Sequence, residues 1–282
     1  MTLGPGFEAV VRAAALLLLS LPIAGAQTVS VSAAKAPPWK LVWSDEFNGD
    51  KLDYSKWGVE VNAFGGGNNE LQIYSDRPEN VRVENGHLIL EARKDNPAMQ
   101  GAQRKYSSGR VRTKHRGDWR FARVEVRAKL PAGRGLWPAI WMLPTADAYG
   151  TWAASGEIDI MELVGHEPDT IRGSLAHGGP WPKHKFTWKP LKRAEETFTD
   201  SFHTFAVEWE SGEIRWYVDG KHWQTQNQWR TEGAPFPAPF DRRFHLLLNL
   251  AVGGQWPGPP DAKTPFPSRM EVDWVRVHQR AR

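Results

Sequence analysis

Ser155–Val164 reads SGEIDIMELV. Acidic and apolar residues alternate at its start, as they do on a β-strand with one face in a core and the other outside it. Glu157 and Asp159 then share one face, and Ile158 and Ile160 share the other. Glu162 has the wrong parity. A regular strand would bury it among the isoleucines, where an unpaired carboxylate is costly. A one-residue bulge near Ile160-Met161 removes the conflict. It returns Glu162 to the acidic face and Leu163 to the apolar one. The stretch predicts a bulged strand with three carboxylates on one side.

The same period of two recurs on both sides of this stretch. His87–Ala92, Phe121–Leu130, His203–Glu210, Glu213–Val218, Phe244–Val252 and Met270–His278 are rich in Val, Ile, Phe and Trp and alternate in polarity. EWESGEIRWYVDG, residues 208–220, reads as a hairpin turning at Ser211-Gly212. A short helical turn near 191–197 is the one exception expected. Twenty-six Gly and 21 Pro supply many turns. The pattern predicts an all-β sandwich of two sheets rather than an α/β fold. There is no internal repeat, which argues against a propeller. The Pro-rich stretches Phe236–Pro239 and Trp256–Pro267 read as surface loops between strands of the same sheets.

Composition narrows the function classes. The chain has 282 residues, 40% of them hydrophobic, enough for one well-buried domain. The formal charge is +4 with no basic run, so a nucleic-acid arm is not indicated. With no cysteine, disulfides and thiolate metal sites are excluded. Fifteen Trp is a high count. Most are expected in the core, and the rest as flat apolar faces of the kind that pack on sugars. Residues 13–25, AAALLLLSLPIAG, follow Arg12 and precede a small-residue Ala24-Gly25-Ala26 site. They read as the core of a signal peptide over 1–26, and are shorter than the roughly 20 residues of a membrane span. Residues 27–38 read as a flexible lead-in and 39–280 as one domain. A secreted or periplasmic location follows, with no membrane attachment after cleavage.

Three acids on one face repel, so their proton affinities must split. Glycoside hydrolysis uses such a split: one carboxylate stays ionised to attack the anomeric carbon, and another holds a proton for the leaving oxygen. Retaining enzymes set these groups about 5–5.5 Å apart. From spacing alone, a solvent-facing acidic strand or a calcium site would serve as well.

EIDIME resembles the E-x-D-x-x-E signature of family 16 glycoside hydrolases, in the laminarinase-like (endo-β-1,3-glucanase) branch. LVWSDEFNG (Leu41–Gly49), GGGNNELQIY (Gly65–Tyr74), GRGLWPAIWMLP (Gly133–Pro144) and VDWVRV (Val272–Val277) resemble other segments of that family, in the same order. The resemblance implies a concanavalin A-like jelly-roll β-sandwich with a substrate groove across its concave sheet. It implies retaining hydrolysis of internal β-1,3-glucosidic bonds in laminarin- or curdlan-like β-glucan by a monomer. It assigns Glu157 as nucleophile, Asp159 as assisting acid and Glu162 as general acid/base, with no cofactor for catalysis. Trp137, Trp141 and Trp256 fall on sugar-binding positions. Asn62 and the Asn68–Gln72 loop suit hydroxyl recognition, with turn chemistry as the competing reading. His177 resembles the histidine after the catalytic strand, although the family spaces it two residues after a Thr or Ser and here Ser174 lies three before. Glu46, the Gly86 carbonyl and Asp273 match positions that hold a structural calcium ion. Mixed-linkage glucan, agarose or carrageenan are alternative substrates, and transglycosylation an alternative outcome. A non-catalytic glucan-binding protein is the reading from another class, and the three standing carboxylates weigh against it.

Overall fold

The computed structural model describes residues 37–99 and 101–281. The expected signal peptide and nearly all of the lead-in lie outside the described residues. Strands succeed one another with short connections: β1 (Trp39–Asp45), β2 (Gly58–Val59), β3 (Gln72–Tyr74), β4 (Val81–Glu84), β5 (His87–Ala92), β6 (Ala98–Met99) and β7 (Ala102–Gln103). Next come β8 (Tyr106–Ser108), β9 (Arg110–Arg112), β10 (Asp118–Trp119), β11 (Ala122–Lys129), β12 (Leu136–Pro144), β13 (Glu157–Leu163) and β14 (Thr170–His177). The rest are β15 (Lys185–Lys192), β16 (His203–Glu210), β17 (Glu213–Val218), β18 (Lys221–Gln226), β19 (Phe244–Val252) and β20 (Ser268–Arg280). The helical turn expected near 191–197 is absent, and β15 runs into bends there.

Two large antiparallel sheets form. One has the order β15-β14-β13-β12-β19-β9-β2, with β10 added on β19; it carries the acidic strand and is called the carboxylate sheet. The other, the backing sheet, has the order β18-β17-β16-β11-β20-β5-β4, with β1 also on β20. Along one edge the 13-residue β20 pairs with β5 through 268–272 and with β1 through 275–280. Each sheet buries one side of its pleat against the other. On β11, Ala122, Val124, Val126 and Ala128 point inward, while Arg123, Glu125 and Arg127 point out. Ile140, Ile158, Leu175 and Leu248 of the carboxylate sheet join them in one core. The outer face of the backing sheet carries ion pairs such as Arg123–Glu208 at 2.8 Å and Arg215–Glu208 at 3.0 Å.

Fewer tryptophans are core residues than composition suggested. Trp57, Trp119, Trp209, Trp216 and Trp229 are buried, and Trp43 and Trp223 pack on the core. Those seven are under half of the fifteen, which leaves a majority of the rings outside the core.

Candidate active site

The strand register shows how three acids share a face. Asp159 pairs with Ser174 and Glu162 with Arg172, so Ile160 and Met161 together oppose the single residue Gly173. On the other side Trp141 pairs with Asp159 and Ile140 with Met161, again passing over Ile160. This is the bulge that the apolar pattern requires. Ile158, Ile160, Met161 and Leu163 are all buried in the core.

A bulge leaves ladder groups without strand partners. Here two side chains from the backing sheet meet backbone carbonyls beside it. Trp216 Nε1 donates to the Asp159 carbonyl at 2.8 Å, and Gln224 Nε2 donates to the Gly173 carbonyl at 3.1 Å. Gly173 leaves room for this contact, since a Cβ at that position would lie 2.6 Å from the Trp216 ring.

Each acid accepts one hydrogen bond on the carboxylate face. Trp152 Nε1 donates to Glu157 Oε2 at 2.9 Å. The Ser174 hydroxyl donates to Asp159. Trp137 Nε1 donates to Glu162 Oε1 at 3.1 Å. Burial holds the proton affinity of all three above the ordinary carboxylate range. Glu157 is pushed well up by burial and then by the Asp159 charge, against the Trp152 N–H and Arg110. Asp159 is pushed up to about 7 by burial, with the Ser174 hydroxyl opposing. Glu162 is pushed well up by burial and by both Asp159 and Glu157, against Trp137 and Arg172. Three adjacent charges are thereby disfavoured, and the cluster retains protons at neutral pH.

The expected aromatic residues gather here unequally. Trp137 holds Glu162 and meets Trp256 edge-on at 5.4 Å. Trp141 lies opposite Asp159, donates to Asn249 Oδ1 at 2.7 Å and is covered by the Arg110 guanidinium at 4.8 Å. Trp256 packs under Arg172 at 4.4 Å. Asn62 joins Tyr74 through backbone hydrogen bonds. The neighbouring 68–72 stretch is tied down by its own side chains. Gln72 donates to Glu70 at 2.7 Å and accepts from the Val252 amide at 2.7 Å, so this side chain anchors the loop.

Two expectations change. Strand β14 has no bulge between Ser174 and His177: Asp159, Ile158 and Glu157 pair in turn with Ser174, Leu175 and Ala176. Ala176 therefore stands opposite Glu157, two residues after the serine. His177 has the parity of core residue Leu175 and is buried, with Nδ1 3.3 Å from the Arg230 carbonyl. It is turned away from the carboxylates. The calcium candidates do not form a ligand set either. Both Glu46 oxygens accept from Arg276, at 3.0 and 2.8 Å, and Asp273 is paired with Arg127. Among the described residues no three metal-ligating side chains converge.

Reading along the chain misses Arg110, Trp152, Arg172, Ser174 and Asn249. Each comes from another strand or loop, and no local spacing marks it.

The family model of glycosyl hydrolases family 16 matches residues 49–276. The chain belongs to this family. It thereby carries a glycoside hydrolase domain, and its two sheets are the family's jelly roll. It is 43% identical over 257 residues to glucan endo-1,3-beta-glucosidase A1 of Niallia circulans, spanning 85% of this chain and 38% of that protein. It is also 43% identical to a beta-glucanase of Rhodothermus marinus, over 93% of each chain. Among solved structures, the endo-beta-1,3-glucanase of Pyrococcus furiosus superposes with a TM-score of 0.78 at 40% identity, covering 87% of this chain and 96% of that one.

Proposed function

We propose that this family 16 member is a retaining endo-hydrolase of internal β-1,3-glucosidic bonds in laminarin- or curdlan-like β-glucan. The bulge on β13 is the observation that carries the reading. It puts Glu157, Asp159 and Glu162 on one face and gives each a different donor. The names of the Niallia and Rhodothermus relatives point to β-glucan as substrate.

The electrostatics divide the roles. Glu162 is repelled by both other acids, which favours its protonated form. Glu157 is also raised by burial and each glutamate has one indole N–H and one arginine against that rise, but Glu157 is repelled by Asp159 alone, which makes it the readier carboxylate of the two. In the first step Glu157 attacks the anomeric carbon while Glu162 passes its proton to the departing glycosidic oxygen. In the second, a water gives a proton to the Glu162 carboxylate and its oxygen displaces Glu157 from the sugar. Asp159 holds a proton between the two and relieves the charge on Glu157 during release. Two carboxylates suffice for this chemistry, so no cofactor enters it. The apolar run 13–25 supports action outside the cytoplasm.

Reducing-sugar release from laminarin, curdlan, mixed-linkage β-glucan, agarose and carrageenan tests the reading, with Glu157→Ala as control. Release from laminarin that vanishes in the variant is expected. Release from agarose or carrageenan alone would overturn the substrate assignment, and no release from any polymer would overturn the activity.

A further inference from the structure

Endo cleavage needs sugars held on both sides of the bond that breaks. Trp137, Trp141, Trp256 and Asn62 were the sugar-binding candidates, and none lies on β14 or β15. Those strands extend the carboxylate sheet past the acids in the other direction, and their residues facing the acids form rows. Glu157 pairs with Ala176 and Ala176 with Phe186. Asp159 pairs with Ser174 and Ser174 with Trp188. The middle residue in both rows is small. Two strand spacings, about 10 Å, separate the acids from Phe186 and Trp188.

Those two rings are poorly covered. Phe186 is 48% exposed and Trp188 53% exposed, and Trp181 on the preceding loop is 73% exposed. Large apolar rings gathered in one open patch are the mark of a binding surface. They also pack on their neighbours. Trp181 stacks on His184 at 5.0 Å with planes 23° apart, and His184 and Phe186 pack on Trp152 at 4.9 and 5.7 Å. Arg172 lies over the Trp188 ring at 4.9 Å. The band therefore meets the catalytic strand twice: Trp152 donates to Glu157, and Arg172 is the strand partner of Glu162.

We infer that Trp181, Phe186 and Trp188 form a second sugar-stacking platform. It holds the part of a β-glucan chain that continues past the carboxylates over Ala176 and Ser174. The occupant is a neutral glucan chain, because flat rings beside a floor of small residues suit the C–H faces of sugars. The platform serves long chains, since a sugar must cross β14 before the next ones reach the rings. This deepens the proposed function and rests on it for the β-glucan substrate and for the direction in which the chain lies.

The test uses a Glu157→Gln parent, which binds without turning over, and β-1,3-gluco-oligosaccharides of two and six units as titrants in calorimetry. Adding Phe186→Ala and Trp188→Ala should weaken hexamer binding about tenfold, or about 1.4 kcal/mol. Dimer affinity should change far less. Trp181→Ala, on a loop outside the sheet, serves as the second variant should the double one melt early. Unchanged hexamer affinity in a folded variant, or equal losses for dimer and hexamer, would overturn the platform. Failure of the glucanase reading is seen separately, as absence of hydrolysis by the unsubstituted enzyme.

Discussion

Replacing Asp159 by Asn removes a charge from the middle of the carboxylate face and almost nothing else. The side chains are isosteric, and Asn Oδ1 can still accept from the Ser174 hydroxyl. Asp159 is 3% exposed, and its pKa is raised from 3.8 to about 7, chiefly by burial. At about 1.4 kcal/mol per pH unit, that rise corresponds to on the order of 4 kcal/mol. The sign follows from proton counting. Between pH 4 and pH 7 the folded chain holds a proton that the unfolded chain has released, so stability falls as pH rises through that window. Above it the folded state bears the full cost of a buried charge. Asn carries no such cost. Because Glu157 and Glu162 share the cluster's protons, part of the cost passes to them, and a gain of about 2–4 kcal/mol is expected at pH 8. For a domain of this size that is a rise of roughly 5–15 °C in melting temperature. At pH 4 the gain should shrink below about 1 kcal/mol. Scanning calorimetry of both proteins at the two pH values measures the difference, and kcat should fall in the variant because the shared proton is lost. Equal gains at pH 4 and pH 8, or a loss at pH 8, would refute the account of a buried, strained charge.

Other outcomes are expected. Glu157→Ala and Glu162→Ala should each lower kcat at least about a thousandfold with the fold intact. Azide should rescue Glu157→Ala as a glycosyl azide of inverted configuration, and an inverted azide from Glu162→Ala instead would exchange the two roles. Trp137→Phe removes the N–H that favours the Glu162 carboxylate. The acid should then keep its proton to higher pH and the alkaline limb of kcat/KM move upward, whereas a downward move would contradict that hydrogen bond. Gly173→Ala puts a methyl 2.6 Å from the Trp216 ring. It should cost about 1–3 kcal/mol in denaturant melts and depress kcat by shifting the bulge, while unchanged kcat would detach Trp216 from the site.

Much of the fold was legible because strand alternation is a local signal. His87–Ala92, His203–Glu210, Glu213–Val218 and Phe244–Val252 match the observed strands end for end. Even the bulge could be read, since Glu162 and Leu163 cannot both sit correctly without it. What could not be read is what stands beside each acid. Trp152 reaches Glu157 from a loop, Arg172 and Ser174 come from β14, and Arg110 from β9. Those meetings depend on which strands pair and in which register, and neither is written in a local period. His177 shows the hazard in one residue. A single step along a strand turns the side chain to the other face, so spacing from Ser174 separates the two possibilities only once the register is known. The partners of the calcium candidates were out of reach for a related reason. Acidic positions can be located in a sequence, but Arg276 and Arg127 claim those carboxylates across strands.

The bulge links stability to chemistry in a way that neither sheet could achieve alone. A regular β13 would satisfy its backbone by strand pairing and bury Glu162 in the core. The bulged strand brings Glu162 to its place but leaves ladder groups to be satisfied elsewhere. Trp216 and Gln224 reach through the core from β17 and β18 to two carbonyls beside it, those of Asp159 and Gly173, and both are buried. A backbone carbonyl left unpaired there would cost about 1–3 kcal/mol. The backing sheet therefore acts on the spacing of the carboxylates as well as on their burial. Substitutions at Trp216 or Gln224 touch no substrate, yet they should alter the pH dependence of catalysis before they unfold the domain, because the first thing they release is the kink that sets Glu162 against Glu157 and Asp159.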